Sequence, residues 1–185
     1  MLIIELGSGG SIEIELFPEY APNTVRNFRY LASKGFYDGL KVYRTVKDRL
    51  IQIGCPLNKG IAGPGYTIFG EFSQNGWENP LPGERGNVFA GRYKESFNSG
   101  NSQFFICQKY LPEVNGLYAG FGKVVKGMDE VDRLSLFETT NGEHPVHPEC
   151  IKRIYLCDDG EPIVEPDKMP AEFSGRLQYP KNLQI

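Results

Sequence analysis

The sequence lacks the features that membrane-spanning, secreted and polyanion-binding proteins need. No run approaches the roughly 20 apolar residues that cross a bilayer. Residues 1–6 carry a glutamate and no basic group, unlike the start of a signal peptide. The net charge of −3 provides no excess of basic residues for a nucleic acid. We therefore expect a chain that spans no membrane, binds no nucleic acid and resides in the cytosol or nucleus.

Cysteine is scarce, and the motifs of the common catalytic sites are missing. The sequence contains no GxxxxGK[ST] phosphate loop, no HExxH, no paired CxxC and no GxSxG. We therefore expect that no cofactor is required. Four widely spaced cysteines in a chain without a secretion signal are expected to stay reduced, and they are Cys55, Cys107, Cys150 and Cys157.

Zinc is the one metal for which the sequence offers a local set of ligands, namely His144, His147, Cys150 and Cys157. Each histidine precedes a proline, which holds it in extended backbone. A strand over residues 150–157 would separate the two cysteines by roughly 23 Å, too far for both to bind one ion. We therefore expect no metal site.

Glycine and proline are abundant, and they favour short strands over long helices. Together the 22 glycines and 13 prolines make up about a fifth of the 185 residues, in a chain of one-domain size. Residues 11–17 (SIEIELF) alternate as a half-buried strand does, and residues 2–6 pair with them through a glycine-rich turn. Further short strands are predicted over residues 41–44, 50–54, 102–107, 119–125 and 150–157.

Two segments have helical spacing instead. After a proline suited to a first helical turn, the apolar residues of segment 22–34 recur at steps of three and four: Val25, Phe28, Leu31 and Ala32. Met128, Val131 and Leu134 predict a second helix over residues 128–134. Many short strands with two helices predict a mainly β fold, a closed or nearly closed β-barrel capped by the helices.

The end of the chain differs in composition from the rest. Prolines stand at positions 162, 166, 170 and 180, and the apolar residues show little periodicity. We therefore predict a domain over residues 1–160 and a proline-containing extension over residues 161–185, packed on the domain or trailing from it.

Five segments carry a family signature: FPEYAPNTVRNFRYLASKGFYDGLKVYR, LIQIG, GNSQFFIC, NGLYAGFGKVVKGMDEVD and IYLCDDG. In order, spacing and residue types they resemble the cyclophilins, a family of peptidyl-prolyl cis-trans isomerases, over about residues 2–160. The resemblance implies a closed eight-stranded antiparallel β-barrel with a helix at each end. It also implies an isomerase that rotates Xaa-Pro peptide bonds to assist protein folding or conformational switching, and we expect it to act as a monomer.

The resemblance also assigns site residues. Arg44 matches the catalytic arginine, Gln52 the glutamine that hydrogen-bonds the substrate backbone, and Phe105 the phenylalanine under the proline ring. The remaining residues implied to bind substrate are Leu50, Gly91, Arg92, Gln103, Val114 and Tyr118. Gly91 and Arg92 fall near the stretch that pairs with the peptide backbone, beside a two-residue insertion over residues 93–97.

Several of these positions depart from the family pattern. Arg49 replaces a pocket phenylalanine, and Glu113 replaces a tryptophan whose indole N–H binds cyclosporin, so we expect weakened cyclosporin binding. Val114 and Tyr118 replace a leucine and a histidine. We expect the Arg49 side chain to lie along the pocket rim with its head in water, where it would favour peptides with an acidic residue beside proline.

Two functions remain open at this stage. One is an active isomerase of proline-containing peptides and proteins, and it rests on Arg44, Gln52, Gln103 and Phe105 occurring together. The other is a weakly active or inactive module that binds proline-containing segments of a partner, and it rests on Arg49, Gly91-Arg92 and Glu113. Family analogy adds a nuclear assembly, such as the splicing machinery, as a partner.

Overall fold

The computed structural model describes residues 1–157 and 160–171 of the chain. Its fold is mainly β, a curled antiparallel sheet of eight strands with two α-helices, α1 (Pro22–Ser33) and α2 (Met128–Ser135). The described strands are β1 (Leu2–Leu6), β2 (Ser11–Leu16), β3 (Arg44–Val46), β4 (Leu50–Ile53), β5 (Tyr66–Thr67), β6 (Asn87–Ala90), β7 (Phe104–Cys107), β8 (Gly120–Lys126), β9 (Thr139–Thr140), β10 (His144–Pro145), β11 (Ile151–Leu156) and β12 (Met169–Pro170).

The large sheet is open, so the predicted closed barrel is wrong. The strand order β11-β1-β2-β8-β6-β7-β4-β3 leaves β11 and β3 as edges, with no ladder between them among the described residues. Only single contacts cross the gap, such as the Val42 N–H that donates to the Glu149 carbonyl at 3.0 Å. Pro148, between β10 and β11, has no N–H to donate to a ladder.

The apolar residues that predicted α1 pack against the inner face of the sheet. Val25, Phe28, Leu31 and Ala32 are all buried in one core that also includes residues of α2. The ring of Phe28 stacks on Phe121 of β8 with centroids 4.3 Å apart, and it meets Phe104 of β7 edge-on at 5.4 Å. The spacing of apolar residues thus fixes the side of α1 that faces the sheet.

The first turn of α1 takes its cap from a distant loop. The residue before the helix, Ala21, has no side chain that could accept a hydrogen bond. The carboxylate of Glu71, only 2% exposed, accepts instead from the N–H of Asn23 at 3.0 Å and the N–H of Thr24 at 2.7 Å. A negative charge at a helix N-terminus also meets the positive end of the helix dipole.

Three adjoining strands, β4, β6 and β7, carry apolar side chains on both faces. In β7, Phe104 belongs to the inner core, whereas Phe105 joins a second cluster on the outer face with Phe89 of β6 and Leu50 of β4. The strands pair so that Phe89 lies opposite Phe105, and Phe105 lies opposite Gln52. The outer cluster forms the floor of the groove described below.

The described part of the C-terminal extension lies on the domain. Strand β12 pairs with β5, and Pro166 is buried. Asn23 of α1 and Asp167 exchange two hydrogen bonds, with Asn23 Oδ1 accepting from the Asp167 N–H at 2.8 Å and Nδ2 donating to the Asp167 carbonyl at 3.0 Å. Residues 172–185 of the predicted extension lie outside the described residues.

The described residues contain no helix long and apolar enough to cross a membrane. They also contain no group of three His, Cys, Asp or Glu side chains arranged to hold a metal ion. His144, one of the zinc ligands considered above, instead has its Nδ1 3.1 Å from the Tyr43 carbonyl oxygen. All four cysteines are free thiols, and Cys55 and Cys107 are buried.

Candidate active site

A groove with two adjoining lobes runs across the outer face of the sheet. The apolar lobe, about 590 Å³, is lined by Arg49, Leu50, Lys94, Phe105, Leu111, Glu113, Val114, Leu117 and Tyr118. The polar lobe, about 270 Å³, is lined by Tyr43, Lys59, Gly60, Tyr93, Ser99, Asn101, Gln103, Glu143 and His144. Both lobes share Arg44, Gln52, Gly91 and Arg92. The structure therefore brings every site residue named from the sequence to one groove, including both altered positions.

The floor of the apolar lobe is a set of packed rings. Phe105, 5% exposed, stacks on Phe89 at 5.5 Å and meets the edge of Tyr118 at 5.4 Å. Leu50 and Val114 are also buried and belong to the same cluster. Aromatic packing of this kind holds the rings in fixed positions, so the lobe offers a preformed apolar surface to a ligand.

Arg44 stands where the two lobes meet. It lies opposite Gln52 in the β3–β4 ladder, and its Nη1 donates to Gln52 Oε1 at 3.2 Å. Its Nε and Nη2 donate to the two carboxylate oxygens of Glu143 at 3.0 and 2.9 Å. These bonds use three of the five guanidinium N–H groups. The hydrogen-bonded Glu143 carboxylate raises the pKa of Arg44, and Arg44 lowers the pKa of Glu143.

Glu143 was not identified from the sequence. It lies at the tip of the β9–β10 hairpin, and its carbonyl accepts from the Thr45 N–H at 2.8 Å. The sequence did contain a signal for this hairpin, because Asn141-Gly142 is a common tight-turn pair and both residues adopt positive φ. The position of the tip beside β3 depends on tertiary packing, which the turn signal does not report.

Gln103 lines the polar lobe, but its amide is bonded to protein groups. Its Nε2 donates to the carbonyls of Ala62 at 3.0 Å and Gly60 at 3.3 Å, and its Oε1 accepts from the Tyr43 hydroxyl at 2.6 Å. Burial raises the pKa of Tyr43 well above its ordinary value, so this hydroxyl stays protonated and donates. Gln103 therefore fixes the loop that walls the polar lobe.

Gly91 and Arg92 form the wall opposite Arg44. The Gly91 N–H donates to the Gln103 carbonyl at 2.7 Å. A Cβ at Gly91 would lie 3.3 Å from Gln52 Nε2, so a larger residue would press on that amide. The Arg92 guanidinium packs against Tyr118 at 4.8 Å and Phe97 at 5.0 Å, and its Nε donates to the Leu117 carbonyl at 2.7 Å. Arg92 is thus part of the wall.

The two altered positions, Arg49 and Glu113, meet at the mouth of the apolar lobe. Arg49 Nη2 hydrogen-bonds Glu113 Oε1, and the two side chains are 52% and 48% exposed. Arg49 therefore lies at the rim, half in water, but its charge is paired with a carboxylate. No sequence pattern predicted this pairing, because the residues are 64 positions apart.

Comparisons with known proteins agree with this fold. A family model described as cyclophilin type peptidyl-prolyl cis-trans isomerase/CLD matches residues 1–156. Peptidyl-prolyl cis-trans isomerase B of Bacillus subtilis is 42% identical over 130 residues, which cover 70% of this chain and 87% of that protein. Peptidyl-prolyl isomerase CWC27 of Cryptococcus neoformans is 30% identical over 182 residues, which cover 96% of this chain and 37% of that protein.

A solved structure shows the same fold. The crystal structure of a Cryptosporidium parvum cyclophilin type peptidyl-prolyl cis-trans isomerase, determined in the presence of the dipeptide Ala-Pro, matches with a TM-score of 0.76 and 26% identity. The match covers 85% of this chain and 99% of that protein. With a family model over most of its length and isomerases among its relatives, this chain belongs to the cyclophilin-type peptidyl-prolyl cis-trans isomerases.

Proposed function

We propose that the groove is the active site for rotation of Xaa-Pro peptide bonds, with Arg44 as the catalytic residue. The observation that carries this proposal is the position of the Arg44 guanidinium, which lines the apolar lobe beside Phe105 and is fixed by three hydrogen bonds. The apolar lobe supplies a seat for a proline ring, and the guanidinium supplies donors beside it.

The chemistry needs no covalent intermediate. Rotation is slow because loss of amide resonance costs about 18–20 kcal/mol, so the enzyme must bind the twisted amide better than either planar form. In the twisted state the proline nitrogen becomes pyramidal and gains a lone pair. An Arg44 N–H can donate to this lone pair, and a charge-assisted hydrogen bond contributes about 1.5–3 kcal/mol, or about one to two powers of ten in rate.

The other groove residues hold the two ends of the bond. Phe105, Leu50, Val114 and Tyr118 would surround the proline ring and exclude water, and about 25 cal/mol per Å² of apolar area buried would favour its binding. None of the hydrogen bonds among the described residues uses Gln52 Nε2, so this amide can donate to the carbonyl that flanks the rotating bond.

The substrates we propose are proline-containing peptides and proteins, and the acting species is a monomer. The related Cryptosporidium parvum isomerase was crystallised in the presence of Ala-Pro, which supports proline itself as the recognised residue. Weakened cyclosporin binding follows from Glu113. Its carboxylate already accepts a hydrogen bond from Arg49 and cannot replace the indole N–H donor of the family's tryptophan.

We also propose that the folded unit extends past residue 160, through the described part of the extension to residue 171. The alignment with CWC27 covers 96% of the chain, and so it extends beyond residue 160 into this segment. Residence in the cytosol or nucleus, with a nuclear assembly as a partner, is our proposal from the family analogy.

A turnover assay on short Xaa-Pro peptides tests the catalytic assignment. Replacing Arg44 with alanine removes the charge-assisted contact, and kcat/KM should fall at least tenfold while the circular dichroism spectrum is unchanged. The matched control is Arg153→Ala, which removes an arginine that forms a similar two-bond pair with Glu5 outside the groove. An Arg44→Ala variant that is folded and fully active would contradict the role of Arg44.

A further inference from the structure

We propose that Glu143 is a positioning residue that aims the Arg44 guanidinium at the substrate, an inference that rests on the proposed function. The two carboxylate oxygens of Glu143 accept from Nε and Nη2 of Arg44 at 3.0 and 2.9 Å. A planar guanidinium bonded at two adjacent N–H groups has its plane and its direction fixed. Glu143 therefore decides where the remaining donors of Arg44 point.

The opposite side of the guanidinium is also held. Nη1 donates to Gln52 Oε1 at 3.2 Å, so hydrogen bonds hold the Arg44 guanidinium on two sides. One N–H on Nη1 and one on Nη2 remain for a ligand. Donors fixed in advance act on a developing lone pair without a cost of reorganisation. The carboxylate leaves the guanidinium charged, since its hydrogen bonds raise the pKa of Arg44.

Glu143 can hold Arg44 because its own backbone is fixed to the same strand. Its carbonyl accepts from the Thr45 N–H at 2.8 Å. The next residue, His144, donates from Nδ1 to the Tyr43 carbonyl at 3.1 Å. The tip of the β9–β10 hairpin thus contacts three consecutive residues, Tyr43, Arg44 and Thr45. A carboxylate on a short, doubly anchored turn is a rigid partner.

The position of Glu143 separates its role from substrate binding. It lines the polar lobe and is absent from the lining of the apolar lobe, where the proline ring would sit. Its loss should therefore leave seating of proline unchanged and reduce only the contact made in the twisted state. We expect a lower kcat with little change in KM.

The experiment compares Glu143→Ala and Glu143→Gln with a matched control, Glu5→Ala. Glu5 accepts from Nε and Nη2 of Arg153 at 2.9 and 2.8 Å, the same arrangement on β1, away from the groove. With an Xaa-Pro peptide, Glu143→Ala should lower kcat about five- to twentyfold and change KM by less than about twofold. Glu143→Gln keeps one acceptor oxygen and should recover part of the loss. Glu5→Ala should behave as the wild type.

A spectroscopic measurement reports the position of Arg44 without turnover. In a ¹H–¹⁵N spectrum, the Arg44 Nε–H signal, assigned by its loss in Arg44→Ala, should exchange slowly with water in the wild type. It should exchange rapidly in Glu143→Ala and at an intermediate rate in Glu143→Gln. If circular dichroism shows that Glu143→Ala does not fold, both kcat and the Nε–H exchange rate are measured on Glu143→Gln.

The outcomes separate this inference from the proposed function. Wild-type kcat in a folded Glu143→Ala variant, with an active wild type, overturns the positioning role and leaves the catalytic role of Arg44 intact. A change in KM alone also overturns it, since Glu143 would then contact substrate. If Arg44→Ala proves as active as the wild type, the proposed function fails, and the Nε–H exchange rate still decides whether Glu143 holds Arg44.

Discussion

Removing the carboxylate of Glu113 should turn Arg49 into an uncompensated cation at the mouth of the apolar lobe. In the wild type the two side chains form an ion pair, and each is about half exposed. We therefore expect little selection by charge in the wild type, in contrast to the acidic preference expected when Arg49 is considered alone. In Glu113→Gln, peptides with glutamate beside proline should gain over neutral peptides.

The exposure of the pair sets the size of this effect. Ion pairs between exposed side chains contribute about 0.2–1 kcal/mol, which corresponds to about 1.4- to fivefold in kcat/KM. The reverse variant, Arg49→Gln, leaves Glu113 unpaired and should favour peptides with lysine beside proline by a similar factor. The double variant should show neither preference.

The assay measures kcat/KM for acidic, neutral and basic peptides at low salt and again at 1 M salt. Both preferences should disappear at 1 M, where the Debye length is about 3 Å. The swapped variant, Arg49→Glu with Glu113→Arg, restores a pair and is the control that should behave as the wild type. The reasoning fails if the wild type prefers acidic peptides as strongly as Glu113→Gln does.

Three further predictions follow from other parts of the structure. Calorimetry should show cyclosporin binding about ten- to a hundredfold weaker than is typical of the family, and Glu113→Trp should strengthen it; family-typical binding would contradict this. A chain ending at residue 160 loses the β12–β5 pairing and the hydrogen bonds between Asn23 and Asp167, so its Tm should fall by about 3–8 °C. An unchanged Tm would show that the extension adds no stability. A thiol reagent at pH 8 should label exposed Cys157 but not Cys107, because burial raises the pKa of Cys107 to about 12. Mass spectrometry measures the labelling, and a labelled Cys107 beside an unlabelled Cys157 would contradict the prediction.

Local patterns in the sequence predicted both helices and most of the longer strands. The stripe from Val25 to Ala32 predicted α1 within one residue of its end, since an amphipathic helix shows its buried face in the spacing. Strand β6 (Asn87–Ala90) is buried on both faces, shows no alternation and was missed. Strands β4 and β7 are also buried on both faces, but they were predicted as short apolar runs between segments rich in Gly, Pro and Asn. The closed barrel was wrong because β11 and β3 are not paired, and among the described residues only a single bridge between Lys41 and Cys150 crosses the gap. A family-level resemblance does not carry this detail.

The candidate site was also predictable only in part. Gln52 and Phe105 lie on strands that the sequence predicted, whereas Arg44 ends the predicted strand 41–44 and begins β3 (Arg44–Val46). The resemblance supplied the proposed roles of all three. The partners of Arg44 and Arg49 were not predictable, because Glu143 and Glu113 are 99 and 64 positions away and meet them only through tertiary packing. A list of residue types at family positions therefore identifies the groove but not the electrostatic state of its charged groups.

The two-faced strand β7 has a consequence for how the chain must fold. Phe104 faces the core and Phe105 faces the groove, so a slip of one residue would exchange one phenylalanine for the other. Hydrophobicity alone would hardly distinguish the two alignments. Gly54, at φ +98°, does distinguish them, because a Cβ there would lie 2.1 Å from the Ser102 carbonyl oxygen, and the Ser102 hydroxyl donates to the Gly54 carbonyl at 2.7 Å. Both contacts belong to the alignment that places Phe105 on the groove floor, and a residue larger than glycine at position 54 would displace Ser102.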